Sequence, residues 1–310
     1  MQQELAFLIA GLALLIAGAE LLVSGASSIA KRMGVAPILI ALTVVAFGTS
    51  TPEFAVSLLA ALRGQTDLAV ANVVGSNSFN IGIILGISAL LRPLKVEEGS
   101  LKREIPFVLG APILLWVLCR DGSLGRPDGF ILMSFFIAFL RRSFRGSARA
   151  SNAEAAATSA NRAAIAMPII AVLAGLAGLV LGARWFTEAA VAIARDFGVS
   201  ELVIGLTLVS AGTSLPELTT SILAALRSKD DIAVGNVTGS NIFNVLFILG
   251  SVAIVKPLVV GGAMVRFDIP VMAAFSLSVL PLMRTGMRIS RLEGGLLLLG
   301  YFAYLATLFS

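Results

Sequence analysis

The chain has 310 residues, of which 57% are hydrophobic and 13% are charged, about half the charged share of a typical soluble domain. A soluble protein of this length could not bury so many apolar side chains, and the mean hydropathy of +0.96 therefore indicates an integral membrane protein. Cys119 is the single cysteine and histidine is absent, which excludes disulfides, cysteine-based metal sites and histidine proton relays.

Ten largely uncharged runs are predicted to cross the membrane as helices, which gives an all-α fold with ten transmembrane helices. They cover residues 5–29, 36–62, 68–91, 104–119 and 128–140 in the first half, and residues 166–194, 199–226, 231–254, 267–283 and 292–309 in the second. Most are close to the ~20 residues that a helix needs to cross ~30 Å of hydrocarbon, where lipid cannot satisfy an open backbone. The chain starts MQQELAF, without the basic segment of a cleavable signal, so the first run is expected to be a retained helix.

The loops predict the orientation in the membrane. With the N-terminus outside, sixteen lysines and arginines fall in inside loops and six in outside loops. Because basic residues accumulate on the cytoplasmic side, both termini are expected outside a cell inner (plasma) membrane that the chain crosses several times. The net charge of +5 is thus a signal of orientation, and no nucleic-acid partner is predicted.

Two long segments of the chain are copies of each other. Residues 48–86 read GTSTPEFAVSLLAALRGQTDLAVANVVGSNSFNIGIILG, and residues 212–250 read GTSLPELTTSILAALRSKDDIAVGNVTGSNIFNVLFILG. They align without gaps at an offset of 164, with 24 identities in 39 positions. Each half then has five spans, an odd number, so the second copy must cross the membrane in the opposite sense. The predicted domains are a five-helix repeat over 1–140, a basic cytoplasmic linker over 141–165, and an inverted five-helix repeat over 166–310.

In each copy a Gly-Thr-Ser-x-Pro-Glu segment interrupts the middle of an apolar span. Proline removes a backbone donor and clashes with the carbonyl one turn earlier, so Pro52 and Pro216 are expected to break or kink their helices. Freed carbonyls at membrane depth are tolerated only where they line a protein cavity, and a carboxylate there costs at least ~2.5 kcal/mol. Glu53 and Glu217 bear that cost at matched positions, which indicates a functional site.

The next span of each half adds a second polar cluster, Gly-Ser-Asn followed by another asparagine. Ser76 and Asn80 are four residues apart and share a helix face, as do Ser240 and Asn244. A set of oxygen ligands without sulfur or imidazole suits hard cations such as Ca²⁺. It suits Mg²⁺ less well, because Mg²⁺ prefers a small octahedral site. Besides the two glutamates, this oxygen-rich set comprises Thr49, Ser50, Ser76, Asn80, Thr213, Ser214, Ser240 and Asn244.

Other polar residues in the spans have structural interpretations. Asn77 and Asn241 are expected to bond between helices, and the glycines to allow close helix contact. Glu20, Arg184 and Glu188 are single intramembrane charges, for which interhelical pairing or snorkelling is expected.

At these residues the sequence closely resembles the sodium/calcium exchanger family of the cation/calcium exchanger superfamily, particularly its short prokaryotic members. GTSxPE followed by GSNxxN, present in both halves, carries the resemblance. The resemblance implies a secondary-active antiporter that works by alternating access, in which Na⁺ influx drives Ca²⁺ extrusion. It also implies that the first and sixth helices slide against an eight-helix core. Besides the bilayer, the expected partners are the transported ions; no enzymatic activity, cofactor or obligatory protein partner is implied.

The resemblance also assigns the ion ligands. In the first half they are Thr49, Ser50, Glu53, Ser76 and Asn80, in the second Thr213, Ser214, Glu217, Ser240 and Asn244, with the backbone carbonyls of Ala46 and Ser210. Several relatives have an aspartate where this chain has Asn244, which gives them three carboxylates instead of two. With two ionised glutamates, one Ca²⁺ or two Na⁺ would leave the site neutral. This chain is therefore predicted to couple fewer Na⁺ ions to each Ca²⁺ than the relatives with aspartate do.

The residues alone leave other functions open. A proton/calcium antiporter could cycle the same two glutamates between protonated and metal-bound forms. A passive cation channel is disfavoured, because the polar residues converge at one midplane point and do not continue along a pore. An intramembrane enzyme is disfavoured further, because no Ser/Lys, Ser/His, Asp/Asp or metal–histidine set occurs in the sequence.

Overall fold

The structure is a computed structural model that describes residues 2–96, 98–154, 165–199, 210–284 and 286–308. Almost all of this part of the chain is helical. The helices are α1 Gln2–Met33, α2 Pro37–Thr49, α3 Thr51–Leu62, α4 Thr66–Leu91, α5 Glu98–Leu118, α6 Arg126–Glu154, α7 Ala166–Asp196, α8 Ser210–Thr213, α9 Leu215–Leu226, α10 Asp230–Val255, α11 Ile269–Arg284 and α12 Arg291–Leu308. Four two-residue strands connect helices: β1 Leu94–Lys95, β2 Ser123–Leu124, β3 Leu258–Val259 and β4 Arg288–Ile289.

Several helices contain or follow a wider π-helical stretch. These stretches are Ala41–Val45 in α2, Asn80–Leu85 in α4, Phe243–Leu249 in α10 and Met264–Asp268 just before α11. Such stretches are rare and are frequently found at functional sites. Here the ones in α4 and α10 lie at or next to Asn80 and Asn244, the two asparagines singled out by the sequence.

Five described helical segments are long and apolar enough to cross a membrane: α1, α4, α7, α10 and Met264–Pro281. Helices α2 and α3 would form a sixth span, broken by a bend of 45°. The remaining predicted runs coincide with α5, α6, α9 and α12, although residues 200–209 of the run 199–226 lie outside the described residues. The count of ten spans therefore stays a prediction.

Helix α6 extends into the region predicted to be a linker. It continues without interruption from the apolar run 128–140 to Glu154. The added segment is rich in arginine and alanine, which are good helix formers, and it has no proline. Residues 141–154 are therefore helical, and residues 155–164 lie outside the described part of the chain.

Helices α1 and α7 pack against each other, antiparallel, along most of their length. A Cβ on Gly18 would lie 2.8 Å from the Gly175 carbonyl oxygen, and a Cβ on Gly175 would lie 2.7 Å from that of Gly18. Gly11 and Gly182 meet in the same reciprocal way, at 2.9 and 2.8 Å. Since a Cβ cannot approach a backbone oxygen this closely, only glycine permits the contact, as in other membrane helix pairs built on small residues.

Contacts between the halves recur with the roles of the halves exchanged. Shifting residue numbers by the repeat offset converts the Gly18–Gly175 contact into the Gly11–Gly182 contact. The strands follow the same rule, because β1 pairs antiparallel with β4 and β2 with β3. Each half is thus completed by elements of the other half.

Helices α4 and α10 form the centre of the molecule. In their most apolar windows 78% and 83% of the residues are buried, whereas the value is 33% for both α1 and α7. The Gly-Ser-Asn clusters thus lie on the two most enclosed long helices. Polar side chains there must find partners inside the protein.

The single intramembrane charges have different partners. Glu20 on α1 forms the expected interhelical pair, with Arg227 at the end of α9, at 3.0 Å. Arg184 and Glu188 instead pair with each other on α7 at 2.8 Å, so interhelical pairing does not hold for them and snorkelling, the other expectation, stays a prediction. They lie one helical turn apart on the outer face, where both side chains are largely exposed.

The glycine contact between α1 and α7 predicts the effect of adding volume. Gly18→Val should push the helices apart and destabilise the protein by about 1–3 kcal/mol, the usual cost of overpacking. The measurement is the melting temperature of the purified protein in detergent. Gly300→Val on α12 is the matched control, since a Cβ there would have its nearest neighbour at 3.7 Å. Equal melting temperatures for the two variants would contradict the prediction.

Candidate functional site

The structure confirms the helix break predicted in the first half. An equivalent break occurs in the second half. Helix α2 ends at Thr49 and α3 begins at Thr51, and Ser50 between them has φ −82° and ψ 6°, which is not helical. Ser214 separates α8 from α9 with nearly the same angles, φ −90° and ψ 6°. In both cases proline lies in the first turn of the following helix, where its missing N–H costs no intrahelical bond.

The breaks bring the two halves into reciprocal contact through serine and glutamate. Ser50 Oγ donates a hydrogen bond to Glu217 Oε1 at 2.9 Å, and Ser214 Oγ donates to Glu53 Oε1 at 3.0 Å. Both glutamates are 1% exposed. Each carboxylate is therefore stabilised by a hydroxyl that belongs to the other repeat.

The serines of α4 and α10 line the same place. The oxygens of Ser76 and Ser214 are 3.3 Å apart, and Ser240 Oγ lies 3.5 Å from Glu217 Oε1. These serines are buried. Ser76 and Ser240, predicted from their position one turn before an asparagine, thus adjoin the serine–glutamate pairs.

The contacts of Thr49 and of the Ala46 carbonyl are described, whereas for Thr213 and Ser210 only the place in the helix is given. The Thr49 hydroxyl is 3.1 Å from Asn236 Oδ1 and 3.4 Å from the Ala46 carbonyl oxygen, which also accepts the Ser50 N–H at 3.0 Å. The Thr49 hydroxyl has one proton, and Asn236 Oδ1 is the nearer of its two acceptors, so a lone pair of the Ala46 carbonyl is left for another partner. Thr213 closes α8 at the equivalent point and Ser210 is its first residue; the Ser210 side chain lies outside the described part.

Four asparagines connect α4 to α10. The side-chain amides of Asn80 and Asn244 donate to Asn241 Oδ1 and Asn77 Oδ1, at 2.9 and 3.0 Å. Asn77 and Asn241 in turn each donate to the other's backbone carbonyl, at 3.0 and 3.3 Å. The expected interhelical role of Asn77 and Asn241 is therefore confirmed.

Four buried side-chain oxygens of these glutamates and asparagines have no hydrogen-bond partner among the described residues. They are Glu53 Oε2, Glu217 Oε2, Asn80 Oδ1 and Asn244 Oδ1. An unsatisfied buried acceptor typically costs about 1–3 kcal/mol, and more when it is charged. Two belong to carboxylates and two to amides, and both kinds of oxygen are common ligands of hard cations. Buried, unpartnered oxygens of these two kinds are suited to binding a positive ion.

Two further asparagines hold the glutamate helices and were missed by the sequence reasoning. Asn72 Nδ2 donates to the Glu53 carbonyl at 3.2 Å and to Ser57 Oγ at 2.9 Å. Asn236 Nδ2 makes the same pair of bonds to the Glu217 carbonyl and to Ser221, at 3.3 and 3.0 Å. Asparagine occupies both positions at the repeat offset, and that identity was the available signal.

A sequence comparison with protein families matches the chain over nearly its whole length. The model of the family described as sodium/calcium exchanger protein matches residues 4–145 and 167–310. The chain is 39% identical to the putative antiporter CaxA of Alkalimonas amylolytica, over 98% of both chains. It is 35% identical to the sodium/calcium exchanger MaX1 of Methanosarcina acetivorans, over 97% of both chains.

The fold has a similar solved structure. The sodium-calcium exchanger NCX_Mj superimposes with a TM-score of 0.87 and 31% sequence identity, and the match covers 98% of both chains. At that identity and coverage the arrangement of helices is shared as a whole.

Proposed function

This chain belongs to the sodium/calcium exchanger family, and we propose that it is a secondary-active antiporter that exchanges Ca²⁺ for Na⁺. The family and the fold make it a transmembrane cation exchanger, not an enzyme. In the proposed cycle the site opens alternately to each side of the membrane, and Na⁺ influx drives Ca²⁺ extrusion.

The observation that carries the proposal is the group of four unpartnered buried oxygens from Glu53, Glu217, Asn80 and Asn244. Ca²⁺ binds 6–8 oxygens at ~2.3–2.6 Å, and the serine and threonine hydroxyls can supply the rest of this shell. Two carboxylates balance the charge of one Ca²⁺, which makes a dehydrated divalent ion tolerable in a buried site. Besides these four residues, the proposed ligands are Thr49, Ser50, Ser76, Thr213, Ser214, Ser240 and the carbonyls of Ala46 and Ser210.

The proposed architecture is a pair of inverted five-helix repeats with ten spans, residues 1–140 and 166–310, in a plasma membrane with both termini outside. The reciprocal contacts and the antiparallel packing of α1 on α7 support this arrangement. Inverted repeats place a substrate site at their interface near the membrane midplane, which suits the crossed serine–glutamate pairs.

The second candidate is proton/calcium antiport at the same site. Two buried carboxylates could bind two protons in place of one Ca²⁺, and the relative CaxA is described only as an antiporter. The counter-ion decides between the two functions. The test is ⁴⁵Ca²⁺ uptake into proteoliposomes loaded in turn with Na⁺ or K⁺, or carrying a pH gradient without sodium. Uptake that follows the pH gradient and ignores Na⁺ would replace the sodium proposal.

The orientation is tested by reporter fusions. A reporter inserted between residues 145 and 160 should lie in the cytoplasm, and one fused after Ser310 should lie outside, because sixteen basic residues of the loops then face inward against six outward. A cytoplasmic C-terminus would contradict both the ten-span count and the inverted repeat.

The glutamates are tested by Glu53→Gln and Glu217→Gln. Each variant keeps an oxygen ligand but removes one charge, so a bound Ca²⁺ would retain an uncompensated positive charge. Removing one partner of a buried ion pair costs about 3–5 kcal/mol, or roughly two to four decades of affinity. We expect near-complete loss of ⁴⁵Ca²⁺ exchange with normal insertion in the membrane. Glu188→Gln is the matched control, because Glu188 is exposed and pairs with Arg184 on its own helix; exchange by either site variant at the control's rate would overturn the site.

The charge of the site predicts its voltage dependence. The site contains two carboxylates and two amides, so one Ca²⁺ or two Na⁺ would neutralise it, whereas a third Na⁺ would add an unbalanced charge. We therefore expect nearly electroneutral exchange of two Na⁺ for one Ca²⁺. The measurement is initial exchange rate in proteoliposomes whose membrane potential is set by a K⁺ gradient and valinomycin. A steep dependence of the rate on voltage would contradict the two-sodium cycle.

A further inference from the structure

Asn77 and Asn241 do more than join two helices. We propose that they are positioning residues, which fix the amides of Asn80 and Asn244 so that oxygen, and not nitrogen, faces the ion. The proposal rests on the ion site described above and assigns it a further pair of residues. It also makes a crossed assignment, in which Asn77 acts on Asn244 and Asn241 acts on Asn80.

An asparagine ligand has two possible orientations with opposite effects on a cation. Its carbonyl oxygen attracts the ion, whereas its NH₂ group carries partial positive charge and repels it. The two groups are nearly equal in size, so packing alone discriminates poorly between the orientations. Hydrogen bonding must therefore select the orientation.

The selection in this protein comes from the opposite helix. Asn244 Nδ2 on α10 donates to Asn77 Oδ1 on α4, and Asn80 Nδ2 on α4 donates to Asn241 Oδ1 on α10. Because each NH₂ group is used in this way, Oδ1 of Asn80 and Oδ1 of Asn244 are the atoms left without a partner among the described residues. Asn80 lies on the helix face of Ser76, whose oxygen is 3.3 Å from that of Ser214 in the glutamate site.

The orientation of the positioning residues is itself fixed by the backbone. Asn77 Nδ2 donates to the Asn241 carbonyl, and Asn241 Nδ2 donates to the Asn77 carbonyl. A backbone carbonyl can only accept, so the NH₂ groups must face it and the side-chain oxygens must face the ligands. All four asparagines are at most 4% exposed, which leaves the network little access to competing water.

The network also favours an amide over a carboxylate at position 244. An ionised acid there would set a negative oxygen against Asn77 Oδ1, two acceptors with no proton between them. Turning Asn77 over would relieve that contact but would set its oxygen against the Asn241 carbonyl. The hydrogen-bond network is therefore compatible with an amide at position 244 and unfavourable for a third carboxylate there.

A purely structural role for Asn77 and Asn241 makes a different prediction, which double-mutant cycles separate. If Asn77 acts through Asn244, Asn77→Ala should raise the half-saturating Ca²⁺ concentration of exchange about tenfold in the wild-type background and by less than about twofold in Asn244→Ala, as expected for coupled sites. Asn241→Ala should show the same dependence on Asn80→Ala. The uncrossed cycles, Asn77 with Asn80 and Asn241 with Asn244, should be closer to additive.

Matched controls come from the same two helices. Ser78 and Thr238 are buried and bond to carbonyls of their own helices, Val74 and Val234. Ser78→Ala and Thr238→Val should leave the half-saturating Ca²⁺ concentration within about twofold of wild type, because their hydroxyls bond within their own helices and not to a proposed ligand. Each cycle is also run with serine in place of alanine at positions 77 and 241, a smaller change that covers a failure of the alanine variants to fold.

The outcomes distinguish this proposal from the ion site on which it rests. If Asn80→Ala and Asn244→Ala leave the Ca²⁺ dependence unchanged, the ion site is assigned to the wrong residues. If they weaken Ca²⁺ binding but the crossed cycles are additive, Asn77 and Asn241 are only structural and the positioning role is wrong. Coupling confined to the crossed pairs supports it.

Discussion

Two carboxylates buried where the surrounding helices break are the constraint on which the rest of the structure depends. Glu53 and Glu217 are almost fully enclosed, and a buried charge is tolerated only when it is hydrogen-bonded and paired. A hydroxyl of the opposite repeat stabilises one oxygen of each, at 2.9 and 3.0 Å, and the other oxygen has no hydrogen-bond partner in the described part of the chain. The serines can reach across because the chain leaves the helical conformation at Ser50 and Ser214. The proline and the glutamate of each segment therefore act together, because the helix break lets the serine reach the glutamate of the other repeat.

The two repeats share most of their hydrogen bonds at the centre and differ in a peripheral ion pair. The serine–glutamate bonds, the asparagine bonds between α4 and α10, and the bonds made by Asn72 and Asn236 all occur in both halves. Away from the centre the correspondence is lost: Glu20 pairs with Arg227, but the residues at the equivalent positions are Arg184 and Arg63, which carry like charge. The side chains of Glu20 and Arg227 are both largely exposed. An exposed ion pair contributes little to stability, so its absence from the other half costs little.

The sequence indicated which polar side chains lie together at the helix breaks but not how they are connected. Pro52 predicted the break, and the duplicated glutamates and serines predicted which side chains meet, because the cost of burying charge twice needs a reason. The crossing of partners between halves could not be read from spacing, since it depends on how α4 and α10 face each other. For the same reason Asn72 and Asn236 were missed, although both were visible as identities between the copies. The apolar run 128–140 did not reveal that α6 continues to Glu154, because hydropathy marks where a helix leaves the lipid and not where the helix ends.

The same charges explain why exchange at such a site would be obligatory. In the proposed cycle the site must pass through a state closed to both sides, in which Glu53 and Glu217 are cut off from water. Without a cation, two like charges would then share a small volume of low dielectric, and their repulsion would add to the cost of burying each one. Either Ca²⁺ or the counter-ions remove both costs, so the closed state is accessible only to a loaded site. The asparagines contribute oxygen without adding charge, so they can strengthen ion binding while the number of charges to be balanced stays at two. The coupling of the two ion fluxes then needs no separate gate, because an empty site cannot readily pass through the closed state.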